Sequence, residues 1–163
     1  MTPFTRFKFF LWYFGHFKVA LIGHLKPKMI VLTDKEIVIK LPLRRRSRNH
    51  LNSMYFGALA VGADLAGGLH GFYHAKQAGI KVSLVFKSFQ AQFIKRPESD
   101  VYFVCQQGDV VKAMIEESKN TGKRINKVLS IQAFTHYPND LEKTTGTQEL
   151  VAEFQLELSV KCL

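Results

Sequence analysis

The chain has 163 residues, 47% hydrophobic and 22% charged, with a formal net charge of +10. One packed domain across 1–163 is feasible, and the positive balance favours anionic partners such as a phosphate-bearing cofactor, a nucleic acid or an anionic membrane surface. Two cysteines, Cys105 and Cys162, exclude a disulfide framework and metal-ligand spacing and fit a reducing compartment, read here as the cytoplasm.

At the N-terminus Arg6 and Lys8 precede the aromatic run Phe9–Phe14, which is loosely signal-like. The uncharged run from Phe9 to Phe17 is too short to span a bilayer, and Lys18 ends it without a small-residue cleavage site. Residues 4–14 read as a short aromatic helix, part of an extension over 1–25 that packs on the domain. A helix lying on a membrane surface is the competing reading, because basic and aromatic residues mix there.

Residues 29–33 and 36–41 are β-branched and flank the turn-like Thr33-Asp34-Lys35, which predicts a hairpin closed by Pro42. Arg44-Arg45-Arg46-Ser47-Arg48 is a basic loop. From Met54 to Ala78 the pattern is helical and apolar on nearly all sides, so protein should surround that helix, and Gly79 is a stop. Then the period changes. Val85, Phe89, Ala91 and Phe93 alternate with polar residues, as in a long strand with one buried face. Residues 101–105 form a second strand, Asp109 can cap a helix over 110–120, and 127–134 is strand-like. A polar loop, His136–Gly146, leads to the cleanest alternation in the chain, Leu150 to Val160. One long buried helix followed by several long strands is an α+β plan, with the sheet curling around the helix.

The helix carries the chemical signal. From Asn49 to Ala75 the only charged residue is Asp64. A carboxylate in an apolar helix is costly to bury unless it is hydrogen-bonded or protonated, so Asp64 is held for structure or poised for chemistry. Five glycines (Gly57, Gly62, Gly67, Gly68, Gly71) each weaken the helix by about 1 kcal/mol relative to Ala. They make sense where a backbone, a sheet or a ligand comes close. His70 and His74 have the i, i+4 spacing of a metal pair, but no third ligand accompanies them, and a core role is favoured. No metal site is expected.

These residues resemble the hotdog-fold thioesterase superfamily, in particular a small branch of single-domain thioesterases. There an Arg-rich turn leads into Arg-Asn-His-Leu and then into a small-residue helix bearing one acid. Here these are Arg44-Arg45-Arg46, Arg48-Asn49-His50-Leu51, and Gly57-Ala58-Leu59 through Ala63-Asp64-Leu65-Ala66-Gly67-Gly68. The phenylacetate-pathway type of hotdog thioesterase has Asn, His-Gly-Gly six residues later, and Asp nine residues after that His. This chain keeps the spacing but has Tyr55-Phe56-Gly57 in place of His-Gly-Gly. The resemblance implies a hotdog fold in which a curved antiparallel sheet wraps a long central helix, with the N-terminal helix as an addition.

It also implies roles. Asp64 is the family's acid, a general base or nucleophile. Gly57 supplies the amide that meets the oxyanion. Asn49 is the loop asparagine, expected in the catalytic set to orient the water, with a cap of the loop as the alternative. Tyr55 stands where the histidine would be, able to donate a hydrogen bond but not to act as a base near neutral pH. His50, Tyr55 and Phe56 line the expected substrate site. Arg44, Arg45, Arg46 and Arg48 could hold the phosphates of coenzyme A, with a solvated cationic loop as the alternative. Asp64 lies seven residues past Gly57, about 10 Å along the helix, so one protomer separates donor and acid. The family resolves this with a homodimer (or a tetramer built from it) in which one subunit donates and the other supplies the acid. The expected function is hydrolysis of an acyl-CoA or other acyl thioester, with no cofactor beyond coenzyme A as part of the substrate. A non-catalytic acyl-binding or scaffolding protein is the alternative, favoured by the lost His and Gly. No nucleic-acid module accompanies the basic residues.

Overall fold

The computed structural model describes residues 2–138 and 147–163. Most of the predicted polar loop, residues 139–146, lies outside them. In chain order the elements are α1 (Pro3–Tyr13), a π-helical turn (Phe14–Lys18), α2 (Ala20–Leu25), β1 (Lys28–Leu32) and β2 (Ile37–Leu41). Then come α3 (Phe56–Gln77), β3 (Val82–Phe93), β4 (Val101–Cys105), α4 (Gly108–Thr121), β5 (Ile125–Phe134) and β6 (Leu150–Cys162).

The strands form one six-stranded antiparallel sheet in the order β1-β2-β4-β5-β6-β3. Helix α3 packs against five of them, β2 through β6, as a helix apolar on most sides requires. Its buried residues, from Ala58 and Leu59 to Tyr73 and Ala75, join Ile39, Phe103, Ile131 and Phe154 of the sheet in one core. The glycines let the layers close. A side chain at Gly62 would run into the buried ring of Phe103, and one at Gly71 would meet Leu84 at 2.8 Å. Gly67 and Gly68 have ordinary contact distances to Phe86, 3.4 and 3.6 Å, so packing inside the protomer does not demand glycine there.

His70 and His74 are core residues. His70 Nε2 lies 2.9 Å from the Thr33 carbonyl and His74 Nε2 lies 3.1 Å from the Asp34 carbonyl, while the Tyr73 hydroxyl donates to Asp34 Oδ1 at 2.9 Å. Together they clip the β1–β2 turn to α3. His70 Nδ1 is buried and has no hydrogen-bond partner. Burial pushes both imidazoles below their usual pKa, so they sit neutral. Among the described residues no group of three metal-ligand side chains converges.

Three details differ from the sequence expectation. The N-terminal helix is followed by the π turn and by α2, which composition did not signal. Gly15 and Gly23 bring these segments into backbone contact, a Cβ on Gly15 falling 2.9 Å from the Gly23 nitrogen. Asp109 lies in the first turn of α4 rather than at its cap, which is Gln107. In β3 the inward set is not Val85 with Phe89, Ala91 and Phe93. A bulge between Phe86 and Ser88 shifts the register, so Val85 pairs with Ser159 while Phe89, Ala91 and Phe93 pair with Leu156, Phe154 and Ala152. One inserted residue reverses the phase of the alternation. The expected burial is also missing: Phe89 and Phe93 are 43% and 51% exposed, because β3 is an edge strand that meets α3 through Leu84 and Phe86, before the bulge.

Candidate active site

The loop before α3 is held by its own polar side chains. The Ser47 hydroxyl donates to the Pro42 carbonyl at 2.7 Å and accepts from the Arg44 amide at 3.0 Å, which fixes the arginine turn. Asn49 Oδ1 accepts from the amides of Leu51 (2.9 Å) and Ser53 (3.2 Å) and from the Ser53 hydroxyl (3.1 Å). This is an Asx-type turn, and it commits that oxygen to the loop. The Tyr55 amide then donates to the Ser47 carbonyl at 2.7 Å, so the arginine turn lies directly beside the start of α3.

Helix α3 begins at Phe56 with no side chain capping it and no acid in its first turn. The first amides of a helix have no acceptor within it and carry the positive end of its dipole. Gly57 stands in this turn. A Cβ on it would fall 2.5 Å from the Tyr55 ring, so glycine here leaves room for that ring. The helix start opens on a cavity of about 380 Å³ lined by Asn49, His50, Tyr55, Phe56, Leu59 and, from the end of β3, Phe93 to Pro97. Tyr55 (48%), Phe56 (59%), Phe93 (51%) and Ile94 (50%) leave its mouth apolar and exposed. Phe56 and Phe93 meet edge to face, with ring centroids 6.5 Å apart.

Asp64 does not line this cavity. It sits two turns further along α3, half-buried, on a partly exposed stripe with Gly57, Ala60, Val61, Gly68 and Phe72. Its carboxylate has no hydrogen bond or ion pair among the described residues, and burial raises its pKa above the usual carboxylate value. Asn49, His50, Tyr55 and Phe56 therefore line one cavity, Gly57 follows Phe56 in the first turn of α3 without lining it, and Asp64 stands apart from them within the protomer. The arginine turn edges a separate groove of about 590 Å³, where Arg44, Arg45 and Arg46 join Lys26, Lys28 and the Lys40–Asp100 pair (3.5 Å). Arg48 is exposed and pairs through its backbone with Met54. The sequence reading missed the β3 contribution, Phe93 to Pro97. Its only trace was an alternating strand whose apolar residues find no cover.

No family model and no curated protein matches the chain. Solved structures do. A protein from Shewanella oneidensis provisionally named a thioesterase superposes with a TM-score of 0.78 at 13% identity, over 96% of this chain and 99% of that one. A Chlorobaculum tepidum protein of unknown function gives 0.80 at 11% identity, covering 97% and 96%. A thioesterase from Haemophilus influenzae gives 0.65 at 14% identity, covering 100% and 93%. The chain has the hotdog fold. At these identities the likeness fixes the architecture: a hotdog sheet wrapped on α3 and carrying an N-terminal helix.

Proposed function

We propose that this hotdog protein hydrolyses an acyl thioester at a homodimer interface. In this reading the α3 amide at Gly57 holds the oxyanion, and Asp64 of the second copy acts on water as general base or on the carbonyl as nucleophile. The observation that carries it is the state of Asp64: an acid half-buried in an apolar helix, without a partner among the described residues, on a partly exposed stripe beside an open sheet edge. A structural carboxylate is normally hydrogen-bonded. One left unpartnered with a raised pKa is what a general base requires.

The edge supports the dimer. Strand β3 is 12 residues long, pairs among the described residues only with β6, and exposes Phe89 and Phe93. A long apolar edge of this kind calls for a covering partner, and a second copy meeting it would bring its own α3 stripe toward the cavity. The apolar mouth suits the acyl chain. The groove beside the arginine turn suits the phosphates of coenzyme A, with Arg44, Arg45 and Arg46 as their donors.

A second reading, acyl binding without turnover, rests on Tyr55. Its ring occupies the space beside Gly57, and it cannot serve as a base. Free-thiol release from acetyl-, hexanoyl-, palmitoyl- and aromatic-CoA separates the two readings. Turnover with at least one ester is expected; binding without release from any of them overturns hydrolysis.

A further inference from the structure

The N-terminal segment has two apolar faces, and only one is used by the fold. Phe7, Leu11, Ile22 and Leu25 are buried, and Phe7 and Phe10 pack on Tyr73 and Phe72 of α3, with ring centroids 5.4 and 5.7 Å apart. The opposite face carries Phe9 (60% exposed), Trp12 (51%), Tyr13 (39%), Phe17 (65%) and Leu21 (58%). The aromatic members form one connected ridge: Phe9 meets Trp12 at 5.5 Å, Trp12 meets Phe17 at 6.0 Å, and Tyr13 meets Phe17 at 5.2 Å. The π turn keeps it continuous, since its wider winding sets Phe17 against both Trp12 and Tyr13.

Charge identifies what covers it. Residues 2–33 hold Arg6, Lys8, Lys18, Lys26 and Lys28 and neither Asp nor Glu. Arg6, Lys8 and Lys18 are exposed and flank the aromatic residues, and α2 ends at the basic groove, where Arg46 Nη1 donates to the His24 carbonyl at 3.3 Å. Trp, Tyr and Phe side by side with lysine and arginine, on short helices lying along a protein surface, match the interface of an anionic bilayer. There the rings enter the headgroup–acyl boundary and the bases meet lipid phosphate. Among the described residues no helix is long and apolar enough to cross a membrane, so the contact is peripheral.

We infer that the exposed aromatic face of residues 9–21 is a docking surface for anionic lipid bilayers. The surface is independent of the thioester site and stands whether or not Asp64 is catalytic.

Trp12 is the only tryptophan of the chain, so its emission reports docking directly. The full-length protein is titrated with vesicles of phosphatidylcholine containing phosphatidylglycerol, and Trp12 emission and co-sedimentation are followed together. The expected result is a blue shift with sedimentation on anionic vesicles, weak on phosphatidylcholine alone and reversed by high salt. Phe9→Ser/Phe17→Ser, both at exposed positions and leaving Trp12 in place, should lose the shift while keeping the wild-type melting temperature. Lys8→Glu/Lys18→Glu should weaken sedimentation about tenfold or more. Three results overturn the inference: no shift on anionic vesicles, sedimentation unchanged by the ridge substitutions, or a Trp12 already blue and shielded from acrylamide without lipid, which would assign the ridge to a second copy of the chain.

Discussion

Replacing Asp64 by Asn should move stability and activity in opposite directions. The carboxylate is half-buried on α3 without a donor among the described residues, and burial raises its pKa from the ordinary value of 3.8. Between 3.8 and that raised value the folded protein holds more protons than the unfolded chain. Stability therefore falls as pH rises through the window and stays reduced at neutral pH. An unsatisfied buried acceptor costs about 1–3 kcal/mol. Asn is nearly isosteric and uncharged, so removing the charge should return about 1 kcal/mol, or about 2–4 °C in melting temperature for a chain of this size. The variant should also lose the Asp64 part of the pH dependence of melting temperature, a fall in stability as pH rises above 3.8. In the thiol-release assay the same change should lower kcat by about 10²–10⁴-fold, the usual worth of a general base. Calorimetry at several pH values, run beside that assay on one preparation, measures both. A variant that melts lower and falls apart into monomers, or one that keeps full turnover, refutes the reasoning and leaves Asp64 as a structural acid bonded across the dimer.

Further outcomes follow from the same coordinates. Phe89→Lys/Phe93→Lys, on the exposed face of the β3 edge, should turn a dimer into a monomer in light scattering; an unchanged mass would place the interface elsewhere. Gly62→Ala should lower stability by about 1–3 kcal/mol, because the new methyl meets the buried Phe103 ring, whereas Gly68→Ala should be tolerated by the isolated protomer; chemical denaturation compares them. Burial depresses the pKa of His70 and His74 from 6.5, so the folded state binds fewer protons than the unfolded one. Melting temperature should fall as pH drops below 6.5, and His74→Gln should flatten that slope. Asp34 adds to the same acid-side loss: hydrogen bonds from Tyr73 and then Gln77 lower its pKa. Its contribution is present above 3.8 and lost as pH falls through the lower folded value, and Tyr73→Phe should shrink it in an acid titration.

The fold was legible where one periodicity governed a segment. The 3.6-residue apolar pattern over Met54–Ala78 marked α3, and the two-residue alternation over Leu150–Val160 marked β6, because each segment keeps one period along its whole length. The β3 face was misassigned at Val85 because a bulge is one extra residue that leaves no mark in an alternating string. The π turn and α2 were hidden because their boundaries depend on Gly15 meeting Gly23, a contact between segments rather than a local preference. In the site, the spacing of Asn49, Gly57 and Asp64 was readable. Their relation in space was not, since it runs through Ser47, the Asn49 turn and the far end of β3. The exposed Phe89 and Phe93 could not be foreseen, because alternation tells which residues share a face but not whether anything covers it.

Whether donor and acid come from different subunits is tested most directly by mixing two crippled chains. Asp64→Asn removes the acid, and Gly57→Val crowds the oxyanion amide. Each homodimer should be inactive. After joint refolding, half of the dimers are mixed, and each mixed dimer holds one intact site, so the mixture should recover about a quarter of wild-type turnover. A mixture as inactive as its two components would show that Gly57 and Asp64 do not meet across a dimer, and the shared site would be abandoned.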